Sequence, residues 1–129
     1  MSGWDPAAGE LLALLPKLGR GPKREGIFAL WLTVRVAQDM LLDPPLAERA
    51  ERRRLAALES RLSSLALPPP LRRALTAALH QLREEKAEGV PLALAALVAP
   101  ARDVLGSEAA EALQHATRAA RQKVATPSR

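Results

Sequence analysis

Apolar residues recur along the chain at three- and four-residue spacing, and prolines and glycines divide the pattern into about six helical segments. Leu55, Leu58, Leu62 and Leu65 make one such stripe, and Leu71, Leu75, Ala78, Leu79 and Leu82 make a second. Leu94, Leu97, Val98, Ala101, Val104 and Leu105 make a third, although Pro100 removes a backbone hydrogen bond and should kink that helix. Helix 27–42 differs from these. Its apolar residues occupy most of the circumference, with polar groups confined to a slot around Arg35 and Asp39. A helix of that kind belongs at the centre of a bundle or inside an interface.

Punctuation sets the boundaries. Asp5-Pro6 reads as a helix cap followed by proline at the first helical position, and Pro16 ends that helix. Residues 16–26, PKLGRGPKREG, read as a basic Gly/Pro linker. Asp43-Pro44 repeats the cap and opens a helix reaching about Ala66, before Pro68-Pro69-Pro70. A helix over 70–87 stops at Gly89, Val90-Pro91 opens one that closes at Gly106, and Ser107 caps the last. Residues 125–129 are expected to be a disordered tail. The fold class is all-α: a compact bundle of five or six helices, one domain over 1–129, centred on helix 27–42. The last helix carries only the thin stripe Ala109, Leu113, Ala116 and Ala120, which implies a mobile element or one completed by a partner.

Composition narrows the chemistry. Leu and Ala fill 50 of the 129 positions, with one Ile, one Phe and no Tyr, which argues against strands. There is no Cys, so thiolate metal sites, cysteine nucleophiles and disulfides are excluded. The net charge of +5 invites an acidic partner. The bias of 15 Arg over 4 Lys, beside heavy Ala, Leu and Pro, also fits a GC-rich coding sequence with no functional meaning. The start Met1-Ser2-Gly3-Trp4-Asp5 has an acid where an export signal is basic, which leads to the expectation of a cytoplasmic protein. No stretch reaches the roughly 18 uninterrupted apolar residues of a membrane span.

Candidate sites are few. His80 and His115 fall on solvent faces, with Glu84 and Glu111 four residues away, a pattern of ordinary surface pairs. No Glu-x-x-His, no Gly-x-Ser-x-Gly turn and no phosphate-loop pattern occurs, so no catalytic residue, metal, cofactor or small-molecule substrate is expected. Trp31 lies on the Ile27/Leu30/Val34 side of its helix and reads as core there. Arg35 and Asp39, four apart, read as an intrahelical pair or as a polar anchor inside an interface. The leading expectation is a non-enzymatic assembly subunit binding a protein partner or a second copy through Trp31, Arg35, Asp39 and Leu113. The alternative is a nucleic-acid-binding accessory protein. Its phosphate contacts would be Lys17, Arg20, Lys23 and Arg24 of the linker, Arg49, Arg52 and Arg53, and the face of Arg72, Arg73 and Arg83. Glu48 and Glu51 already compensate the middle cluster, with Glu48–Arg52 in the favourable acid-first order.

Overall fold

Prolines lie in the first turn of every helix but the last, because a fixed backbone angle and a missing N–H cost nothing there. In a computed structural model that describes residues 4–41 and 44–125, every described element is helical. Helix α1 spans Trp4–Leu14 and runs into a short 3₁₀ turn, Leu15–Lys17. Helix α2 spans Pro22–Met40. Helix α3 is broken: Pro44–Arg49, a π-helical turn Ala50–Arg54, then Leu55–Ser64. Helix α4 spans Pro69–Glu85 and ends in the 3₁₀ turn Lys86–Gly89. Helix α5 spans Val90–Leu105 and α6 spans Ser107–Ala125. Among the described residues no helix is long and apolar enough to cross a membrane.

Several boundaries move from where the sequence alone puts them. Helix α2 begins at Pro22, inside the segment expected to be a linker, because Gly21-Pro22 is itself a helix start. Gly21 takes φ 143° there, a region open to glycine and strained for other residues. The first helix begins at Trp4, one residue ahead of the expected Asp5 cap. The Asp43 cap and residues 126–129 of the expected tail lie outside the described residues, and Ala125 is the last residue of α6. Pro100 does not split α5, which runs through it as one helix. The carbonyl it frees is that of Ala96, a solvent-exposed residue, where water can replace the lost bond.

The architecture is the expected all-α bundle: α1, α2, α4, α5 and α6 pack together, and the broken α3 lies against α2 and α4. Helix α2 is reached by α1, α3, α5 and α6. Its buried residues Ile27, Ala29, Leu30, Thr33, Val34, Val36, Ala37 and Met40 cover about half the circumference at 100° per residue. Gly26 permits the closest approach, since a Cβ there would lie 2.9 Å from Leu71 Cδ2 of α4 and 3.1 Å from Leu105 Cδ2 of α5. The two buried threonines satisfy their hydroxyls within their own helices, Thr33 donating to the Ala29 carbonyl at 2.8 Å and Thr117 to Leu113 at 2.7 Å.

Helix α6 overturns the expectation of an unfinished face. Its inner side is wider than the stripe read from the sequence: Ala110, Ala112, Thr117 and Ala119 are buried beside Ala109, Leu113, Ala116 and Ala120. The chain itself closes this face, with α6 packed along α5 and α1. Small side chains buy little apolar area each, but they let backbones approach, so many residues share the burial. Leu113, expected at a partner interface, has no exposed surface and is a core residue. Ala116→Leu is therefore expected to overpack the inner face of α6 and destabilise the fold by about 1–3 kcal/mol in denaturant unfolding. A variant as stable as the parent would mean that this face of α6 is not packed against the rest of the bundle.

Candidate protein-docking groove

With half of α2 buried, a strip remains on its far side. Gln38, Trp31, Arg35, Phe28, Asp39 and Leu32 fall within it, all half-buried except the exposed Arg35. Phe28 and Trp31, three residues apart on this strip, stack with ring centroids 6.1 Å apart and planes at 20°. The Arg61 guanidinium of α3 sits over the Phe28 ring, 5.0 Å from its centroid.

The break in α3 decides what faces this strip. Extending the Leu55–Leu65 stripe backwards by four places Glu51 towards the core. The π turn adds a residue to that turn, so Ala50 takes the core position and is fully buried, as is Leu55. Glu51 is left half-buried at the edge, and Arg52, Arg53 and Arg54 are exposed. Arg54 then reaches Asp39 of α2 and pairs with it through Nη1 and Oδ2. This corrects the expected Arg35–Asp39 pair: Asp39 ties α2 to α3, and Arg35 has no carboxylate partner among the described residues.

Between α2 and α3 the result is an open groove of about 900 Å³. Trp31, Leu32, Val36, Ala57 and Leu58 give it an apolar floor; Arg35, Arg54, Arg61, Ser60, Ser63 and Ser64 line it with polar groups. The hydroxyls of Ser63 and Ser64 donate to the carbonyls of Ser60 and Arg61 at 2.7 and 2.8 Å, as is common near a helix end. Of the residues expected at an interface, Trp31 and Arg35 meet in this groove, Asp39 stands beside it through Arg54, and Leu113 is elsewhere in the core.

The expected phosphate contacts do not form one surface, and many have other roles. Arg72 is half-buried and donates from Nη1 to the Leu62 carbonyl at 2.8 Å and from Nη2 to that of Leu65, capping the end of α3. Arg83 donates from Nε to Glu59 Oε1 at 3.0 Å, so the Arg72/Arg73/Arg83 face keeps only Arg73 unengaged. Arg24 folds back onto the Leu15 carbonyl at 2.7 Å, and Lys17 approaches Glu108 at 4.0 Å. Arg52 pairs with Glu48 at 2.8 Å, as the spacing implies. Arg20 and Lys23 border a separate depression beside Pro68 and Val104. Arg49 and Arg53 are exposed on the broken part of α3. His80 is exposed, while His115 takes Glu10 of α1 as its partner at 3.1 Å in place of Glu111.

No protein-family model matches the chain, and no curated protein or solved structure is similar to it. The groove therefore stands on its own geometry. Sequence reasoning missed its α3 wall, although a signal was present: Ala50 and Leu55 are five apart, a gap that neither a three- nor a four-residue step bridges. The role of Arg72 yields a direct test. Arg72→Ala is expected to lower unfolding stability by about 1–2 kcal/mol through loss of the α3 cap, whereas Arg73→Ala stays within about 0.5 kcal/mol of the parent. Equal small effects would remove the capping role.

Proposed function

We propose that this chain is a non-enzymatic helical subunit that recognises another protein through the groove between α2 and α3. The observation that carries this reading is the groove itself, whose floor joins the half-buried Trp31 and Leu32 of α2 to the buried Val36 of α2 and Leu58 of α3. Clefts with an apolar floor and a few polar groups at the walls are where ligands and partners bind, and Trp and Arg supply much of the energy at such surfaces. The polar groups at the groove suit binding over chemistry. The Ser63 and Ser64 hydroxyls are turned to backbone carbonyls of their own helix.

The nucleic-acid reading draws on the net charge of +5 and on the exposed Arg20, Lys23, Arg49, Arg53 and Arg73. It is the weaker one, because Arg24, Arg52, Arg72 and Arg83 are held by carbonyls or carboxylates of the chain itself. Phosphate recognition depends on many such charges acting together. A photo-crosslinking amino acid placed at Ala57, an exposed position in the groove, separates the two readings in cells that express the chain. The expected result is a discrete protein adduct at position 57 that is absent when the same group replaces the exposed Ala96 of α5. Nucleic-acid adducts, or identical adducts at both positions, would contradict the reading.

A further inference from the structure

We propose that the occupant of the groove is an acidic amphipathic helix of a partner protein, an assignment that rests on the docking role above. The walls carry the charge argument. Arg35 on α2 and Arg61 on α3 both line the groove, and neither has a carboxylate partner among the described residues. The third guanidinium, that of Arg54, is already joined to Asp39. Two guanidinium groups without carboxylate partners thus flank an apolar floor, that of Arg61 resting over the Phe28 ring with its N–H edge still able to donate, and a planar guanidinium matches a carboxylate with two parallel hydrogen bonds. Asp and Glu on one side of a ligand would meet them, while large apolar residues on its other side rest against Trp31 and Leu58.

The shape favours a helix as the ligand. The groove lies between two helices, the setting in which an amphipathic helix lays its apolar side into a partner. Strand addition needs a sheet edge, and the described residues contain no strand. A second copy of this chain is a poor occupant. A two-fold interface presents the same patch from both sides, which would set Arg35 and Arg61 of one copy against those of the other. A single nucleic-acid strand would use several stacking platforms, but the floor is mainly aliphatic, with Trp31 its one aromatic residue.

Selection from a phage-displayed library of random peptides of about 16 residues, roughly 24 Å as a helix, tests this on the full chain. Enriched peptides are expected to carry Asp or Glu around Leu or aromatic residues at three- and four-residue spacing. Their binding, followed by Trp31 fluorescence in a Trp4→Phe background, should weaken about tenfold or more in the double variant Arg35→Glu, Arg61→Glu, and should weaken with salt. Arg73→Glu, at an exposed position outside the groove, should leave it unchanged. Both arginines of the double variant are exposed, and an unchanged unfolding midpoint confirms that the effect is local. Enriched peptides that lack acids yet shift Trp31 fluorescence would overturn the acidic assignment and leave the docking role standing. No enrichment, binders indifferent to the double variant and silent at Trp31, or displacement of every binder by oligo(dT) would overturn both.

Discussion

The enclosure of α2 is the constraint on which the rest of this structure depends. A helix with apolar groups on most of its sides has to be covered, and the chain brings α1, α5 and α6 to that task and closes its first turn at Gly26 against Leu71 and Leu105. Those helices are rich in alanine where they meet, so the cover is thin and close. Half the circumference of α2 is sealed in this way. The other half faces α3, whose hydrogen-bond ladder passes from α to π and back to α along its length. Burial therefore explains why most of α2 is silent, and the incompleteness of burial along Phe28, Trp31, Leu32 and Arg35 explains why one strip is not.

Several charged residues of the chain tie its own elements together. Arg54 joins α3 to Asp39 of α2, and Arg83 joins α4 to Glu59 of α3. Arg72 closes the end of α3, Arg24 closes the end of the 3₁₀ turn after α1, and Glu25 accepts the backbone N–H of Ala66 at 2.9 Å in the loop before α4. Such exposed ties contribute little stability one by one, but each fixes the position of a helix end that apolar packing leaves free to slide. At the groove Arg35 and Arg61 have no carboxylate partner among the described residues, and their placement beside an apolar floor, not the net charge, gives this surface its character.

Most of the helices are legible in the sequence, because proline, glycine and apolar spacing act locally. The stripe of α4 lies in the core where the three- and four-residue spacing puts it, and so do Leu94, Leu97 and Ala101 of α5 and Leu55, Leu58 and Leu62 of α3, whereas Val98, Val104 and Leu105 of α5 are only half-buried. Two features were hidden for physical reasons. The alanines of α6 look too small to hold a helix in place, since their contribution appears only when a second backbone comes close, and closeness is a tertiary property. The partners of Asp39 and His115 were misread because spacing along one helix identifies only neighbours on that helix. Arg54 is 15 residues from Asp39 in sequence, and Glu10 is 105 from His115. The groove itself needed both helices, and its α3 wall followed from a π turn whose trace in the sequence is the five-residue step from Ala50 to Leu55.

The central claim is that α2 keeps an open strip in the free protein, with Trp31 half-exposed at the floor of a groove. Acrylamide quenching of Trp31 fluorescence in a Trp4→Phe chain, followed across a wide range of protein concentration, measures this directly. The expected result is intermediate quenching that does not change with concentration. Blue-shifted emission immune to acrylamide at every dilution would mean that α3 closes over α2, and protection that grows with concentration would mean that a second copy fills the groove; either result would contradict the account.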